Sequence, residues 1–224
     1  FIFAQAYSVA RLRAAFKFEQ IVDSTVANAL MVDTLGSSDE GEVVSLSFAE
    51  AYTIATLRAA FRIENINNST VANGLEVISL NFDDDGFVVG YGFDEAYTVA
   101  VLREAFKGFD RIIQDAAANN FLVTGISFAR DEDENKYYVA QLTFALWYAT
   151  GSVKAHFKEL QDIKDGWQYI ESITIKMPQK MTQVDDPADD IWCSTYWNAL
   201  QRGCSEEEAR ALADAAKTQW YIDH

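Results

Sequence analysis

Phe93-Asp94-Glu95-Ala96-Tyr97-Thr98-Val99-Ala100-Val101-Leu102-Arg103-Glu104-Ala105-Phe106 is one of three near-copies in this chain. Phe48–Phe61 reads FAEAYTIATLRAAF and Phe3–Phe16 reads FAQAYSVARLRAAF. Ten of fourteen positions match from each copy to the next, and both steps are 45 residues. Self-similarity at such a period is the signature of a repeat architecture. A fourth, decayed copy begins at Phe144, where Tyr148, Val153, Lys154 and Phe157 stand in the places of Tyr97, Leu102, Arg103 and Phe106.

Placed at 100° per residue, the second copy predicts a short helix with two apolar sides. Tyr52, Ala55, Ala59 and Ile63 form one stripe, and Ile54, Leu57 and Phe61 the other. One side covers a sheet, and the Ala-bearing side is free to meet a second layer or another subunit. Glu50 and Glu95 then fall at helix N-termini, where a carboxylate favours the macrodipole. Arg13, Arg58, Arg103 and Lys154 share one helical position, which predicts a repeated structural ion pair, with Glu50 or Glu95 as partner. The loops that follow carry Ser24-Thr25-Val26-Ala27-Asn28 and Ser69-Thr70-Val71-Ala72-Asn73, with Asn28 and Asn73 as left-handed caps before a strand. Asn67 and Asn68 each open an N-x-Ser/Thr sequon, which matters only on a secretory route.

Paired extended runs come next. Leu30–Leu35 and Glu42–Phe48 flank a Gly36–Gly41 turn. Leu75–Phe82 and Phe87–Phe93 flank Asp83-Asp84-Asp85-Gly86, and Phe121–Phe128 and Tyr137–Phe144 flank a longer connection. Their Val, Ile, Phe and Tyr content with turn chemistry between predicts three β-hairpins, and a last strand falls on Trp167–Met177. Hairpins alternating with helices predict an α+β fold. It has an antiparallel sheet with helices on one face, and windows of it are ferredoxin-like. The repeats lie near 3–47, 48–92, 93–143 and 144–177. The sequence leaves open whether one sheet runs throughout or two pseudo-symmetric halves form.

Pro178 and Pro187, the only prolines, bracket an acidic linker. Residues 178–224 then read as linker and helical tail. Ile191–Gln201 forms one helix, Gly203 stops it, and Ser205-Glu206-Glu207-Glu208 opens another to about Tyr221. About 45 residues hold a core poorly by themselves, so Trp192, Trp197 and Trp220 are expected to dock on the repeats or on a neighbouring molecule. Cys193 and Cys204 are separated by roughly 14 Å of helix in this reading, so a disulfide between them requires the helix to start later than Ile191, and the sequence leaves their pairing open.

Net charge is −16. Such a surface repels nucleic acid and anionic membrane. No apolar run is long enough to span a bilayer, and no signal peptide is visible. The sequence opens on Phe1 rather than Met, so a processed or truncated precursor is expected, and the first copy is expected to lack the strand that precedes the others.

No constellation of chemical groups stands out. His156 replaces the Ala of the earlier copies, with no Cys, Asp or Glu at metal-ligand spacing. Asp83–Gly86 and Asp131–Glu134 lack the alternation of a calcium loop and read as solvated turns. There is no glycine-rich phosphate loop and no nucleophile signature. Neither catalytic, cofactor-binding nor metal residues are assigned, and no cofactor is expected. The expectation is a structural, self-assembling protein whose partner is itself or another protein. Trp192, Trp197, Trp220, Ala55 and Ala59 are its contact residues. A small-molecule or protein-binding module with a pocket between sheet and helices is the alternative, with an enzyme behind it.

Overall fold

The computed structural model describes residues 1–18, 21–22, 24–131, 136–161, 163, 167–177, 195, 199 and 205–223. The chain divides into two units, Phe1–Lys176 and Met177–His224. The first is a mixed α/β unit built on one nine-stranded sheet. Its strands are β1 (Ile2–Ser8), β2 (Met31–Ser37), β3 (Val43–Thr53), β4 (Glu76–Phe82), β5 (Val88–Thr98), β6 (Leu122–Asp131), β7 (Lys136–Ala149), β8 (Leu160–Gln161) and β9 (Tyr169–Ile175). Every described strand pairing is antiparallel, and neighbours follow chain order except that β9 lies between β7 and β8. The ferredoxin-like windows expected from the element order are therefore not seen, because such a unit places its strands out of chain order.

The fourteen-residue stretch is not one helix. In each copy its first half finishes a strand, and the chain turns into a helix only at Val9, Ile54 or Val99. The short helices are α1 (Val9–Leu12), α2 (Thr25–Ala29), α3 (Ile54–Leu57), α4 (Thr70–Gly74), α5 (Val99–Ala105) and α6 (Thr150–His156). The switch is made by Ser8, Thr53 and Thr98, whose hydroxyls accept the amides of Arg11, Thr56 and Val101. This N-cap chemistry satisfies an orphan donor at the point where the backbone leaves the extended region. The first helical amide of each is held as well, Val9, Ile54 and Val99 donating to Leu30, Leu75 and Phe121 carbonyls at 2.9 Å. Glu50 and Glu95 therefore sit on strands, not at helix N-termini. The first copy begins with a strand of its own, β1.

The Ser-Thr-Val-Ala-Asn pentapeptides form α2 and α4, capped by Ser24 and Ser69. Asn28 and Asn73 are not left-handed; among the described residues Glu159 is the non-glycine with positive φ. The tight turns do use that region, with Gly41 and Gly86 both at φ +80° and each amide bonded three residues back at 3.0 Å. The third connection and most of its Asp131–Glu134 run lie outside the described residues.

The core is one layer deep. Ile54, Leu57 and Phe61 of the second copy are buried, whereas Ala55 and Ala59 are exposed and Tyr52 and Ile63 half-buried. Among the described residues the Ile54 side is therefore covered, and the other side is covered only in part, at Tyr52 and Ile63. The helical Val9, Leu12, Ile54, Leu57, Val99, Leu102 and Val153 join a single cluster with one face of the sheet. Across that face a register line runs Leu35–Leu46–Leu80–Tyr91–Ile126–Leu142–Ile173, all buried. On the opposite face two lines run parallel to it. One is Gly36–Ser45–Asn81–Gly90–Ser127–Gln141–Thr174, and the other Thr34–Ser47–Ser79–Gly92–Gly125–Thr143–Ser172.

In the second unit Glu206–Asp223 forms α7. Ser205 and Glu208 make the expected capping box: Glu208 Oε2 accepts from the Ser205 amide at 2.9 Å, and Ser205 Oγ accepts from the Glu208 amide at 3.3 Å. Those bonds from Ser205 hold the Glu208 carboxyl below its ordinary range. Thr195 and Ala199 are helical, within the helix expected over Ile191–Gln201, whose other residues lie outside the described set. So do Cys193 and Cys204. No described helix is long and apolar enough to cross a membrane.

Candidate interaction surface

Strands β1, β3, β5 and β7 each carry a four-residue excursion. Between Tyr52 and Ser47, residues 48–51 of β3 stand against Ile78 alone on β4. Residues 93–96 stand against Thr124, 144–147 against Glu171, and 3–6 against Asp33. Such bulges bend the strand and re-aim its side chains. A Phe enters each excursion and a Tyr closes it, the two rings meeting edge to face at 5.4, 5.2, 5.3 and 5.2 Å for Phe3–Tyr7, Phe48–Tyr52, Phe93–Tyr97 and Phe144–Tyr148. The hydroxyls of Tyr52, Tyr97 and Tyr148 accept the amides of Met31, Glu76 and Leu122, each at 3.0 Å. The Tyr thus fixes the excursion to the strand that opens next to it.

What the excursion displays differs in the last copy. Its tip is Gln5-Ala6, Glu50-Ala51 and Glu95-Ala96 in the first three, but Leu146-Trp147 in the fourth. Tyr52 donates to the tip carboxylate of Glu50 at 2.9 Å, a bond Leu146 cannot make. Leu146 is 55% and Trp147 64% exposed. At the start of the neighbouring β9, Trp167 and Tyr169 are 54% and 57% exposed. Trp147, Trp167 and Tyr169, together with Gln168, Ile170, Glu171 and Ser172, line an open concavity of about 900 Å³. Large apolar residues exposed together mark an interaction surface, and Trp and Tyr are the residues that dominate such contacts. The signal was present in the sequence: once Phe144 is matched to Phe93, Leu146 and Trp147 replace an acid and an alanine.

The residues singled out by recurrence serve the fold. Arg13 donates to the carbonyls of Ile21 and Val22 at 3.2 and 3.1 Å, and Arg58 to those of Ile66 and Asn67 at 3.3 and 2.7 Å. Arg103 donates to Asn119 and Asp110 Oδ1, both at 3.0 Å. In the first three copies the recurrent arginine therefore ties down the loop after its helix, rather than pairing with Glu50 or Glu95. In the first two copies one terminal guanidinium nitrogen reaches two adjacent carbonyls, and in the third the two terminal nitrogens reach side-chain oxygens instead.

The Asp83–Gly86 run is a turn. Asp83 Oδ1 accepts the Phe87 amide at 2.7 Å, and Asp85 pairs with Arg130 at 2.9 Å, whose guanidinium lies 3.9 Å from the Phe87 ring centroid. Burial raises the Asp83 carboxyl above its ordinary value. Among the described residues no group of three or more His, Cys, Asp or Glu could hold a metal ion. His156 does gain a partner that spacing hid: its Nδ1 lies 2.9 Å from Asp115 Oδ2, 41 residues away. Asp115 also accepts the Ala117 amide at 2.9 Å as an N-cap, and its carboxyl is held below the ordinary range chiefly by the His156 hydrogen bond.

Of the expected contact residues, Ala55 and Ala59 lie on the exposed side of the second copy's helical segment, and Trp220 lies on α7. Trp192 and Trp197 are outside the described residues. The concavity of about 900 Å³ adjoins the aromatic residues of β7 and β9. No protein-family model, no curated protein and no solved structure matches the chain significantly.

Proposed function

We propose that this chain is a non-catalytic structural or assembly protein that associates with itself. It uses surfaces of repeated β-hairpin and helix units and a docking C-terminal tail. The observation that carries the reading is the exposed set Leu146, Trp147, Trp167 and Tyr169 at the last copy, the first two standing where earlier copies place Glu or Gln and Ala. Burying such side chains yields roughly 1.5–3 kcal/mol each, enough to reward a partner and little else. Ala55 and Ala59 leave the helix layer open to close approach, and Trp192, Trp197 and Trp220 supply the tail with anchors. Sedimentation across the micromolar range tests the proposal: a concentration-dependent oligomer is expected, and a monomer throughout would overturn it.

A binding module is the second reading, favoured by the concavity beside Trp147 and Trp167. Aromatic walls with a few polar groups are how small-molecule sites are built. A ligand that raises the melting temperature of a purely monomeric chain would select this reading.

A further inference from the structure

We infer that the open face of the sheet is a contact between two copies of this chain, stacked face to face. The inference rests on the self-association proposed above and adds the surface through which it runs. The two register lines on that face hold fourteen residues, every one Gly, Ser, Thr, Asn or Gln. A sheet face turned to water ordinarily carries charge, at roughly a quarter to a third of surface positions, so about four charged residues belong here. In a chain of net charge −16 there are none. Acids resume at the margins, as Asp33 of β2 and Glu171 of β9, opposite the excursions of β1 and β7.

The chemistry of the face selects its occupant. A basic partner would want carboxylates on it, a nucleic acid would want cations, and a lipid surface would want apolar side chains. Hydroxyls and amides each both donate and accept, so an identical face complements them under a two-fold axis. Two strongly acidic molecules also meet least repulsion where both are uncharged. The low relief permits close approach. Asn81 lies across Gly90, where an added Cβ would stand 2.7 Å from its Nδ2, and Ser79 lies likewise across Gly92. Between Asn81 and Gln141 a depression of about 290 Å³ remains, with room for a longer side chain from the opposing face.

The size of the face sets the strength. Seven strands carrying two lines of side chains roughly 7 Å apart span roughly 30 by 15 Å with their side chains, about half the area each partner contributes to a standard interface. The contact is therefore weak and concentration-dependent by itself.

The test uses the full chain. Sedimentation velocity over the micromolar range compares wild type with Ser79→Glu and Ser127→Glu, with circular dichroism and melting temperature confirming that each is folded. At least tenfold weaker association of both variants is expected. Should either Glu variant fail to fold, Ser127→Cys with a short bismaleimide reads the same surface, because Ser127 lies one strand from the centre of the face. A 127–127 link between chains supports the inference. Links from position 127 to Cys193 or Cys204 of the same chain would give the face to the tail and overturn it. Unchanged association of folded Glu variants overturns it too, leaving self-association intact, whereas a wild type that never associates removes both.

Discussion

The Tyr91 hydroxyl donates to Asn65 Oδ1 at 2.6 Å, with both side chains buried. Asn65 in turn donates to the Val88 carbonyl at 3.1 Å, so one polar side chain links a loop to β5 inside the core. Burial pushes the Tyr91 phenol well above its ordinary pKa and keeps it a donor. Tyr91→Phe leaves Asn65 Oδ1 unpaired, and Asn65→Ala leaves the Tyr91 hydroxyl and the Val88 carbonyl unpaired. Denaturant titration should show a loss of roughly 1–3 kcal/mol per orphaned group. The double variant should lose less than the sum, because the two share one bond. Strict additivity would mean the groups act independently.

Much of the sheet was legible in sequence because hairpins announce themselves locally. The Gly36–Gly41 and Asp83–Gly86 turns and the alternation of Val77, Leu80 and Phe82 are readable within a dozen residues. The helix reading went too far because apolar spacing over Tyr52–Ile63 fits 3.6 residues per turn while Phe48–Thr53 is extended. Thr53, a cap residue in the middle of the stretch, was the sign that the helix starts there. The arginine partners were hidden for another reason. Backbone carbonyls have no sequence signature, so Arg58 recurs visibly while Ile66 and Asn67 do not announce that they receive it. Asp115 and His156 meet only through the fold.

Phe106 tests the core. It is buried against Tyr91, Phe93 and Phe128, with ring centroids at 5.1, 6.2 and 5.4 Å. Removing a buried ring from such a cluster costs its transfer energy and leaves a cavity. Phe106→Ala should lower stability by about 3–5 kcal/mol in denaturant titration. A loss below about 1 kcal/mol would mean the cluster collapses without cost.

Arg58 separates loop-tying from ion pairing. Arg58→Ala removes two charge-assisted bonds to adjacent carbonyls and should cost about 1.5–3 kcal/mol. Glu50→Gln should change little, since Glu50 is bonded to Tyr52 and not to the arginine. A larger effect at Glu50 than at Arg58 would restore the ion-pair reading.

Asp115 gives a pH signature. Its carboxyl is lowered, mainly by His156, so its contribution is complete above the ordinary carboxylate range and is lost as pH falls through the depressed folded value. His156→Ala, which installs the residue of the other copies, should return the Asp115 titration upward toward an ordinary carboxyl, as read by NMR. An unmoved titration would assign the shift to the backbone amides of Ala117 and Ala118 instead.

Trp147 is the strongest test of assembly, because the other copies supply its control. Trp147→Ala restores the alanine of Ala6, Ala51 and Ala96, so the fold has a precedent for it, and its ring is mostly exposed. Monomer stability should change by less than about 0.5 kcal/mol, as for ordinary surface positions. Association should weaken by tenfold or more if the ring is buried between molecules, since a tenfold change needs only about 1.4 kcal/mol. Ionic strength provides the second axis. With net charge −16 on each copy, added salt screens repulsion and should strengthen association of the wild type. Association that weakens with salt would point to ion pairs across the interface and against an apolar contact at Trp147.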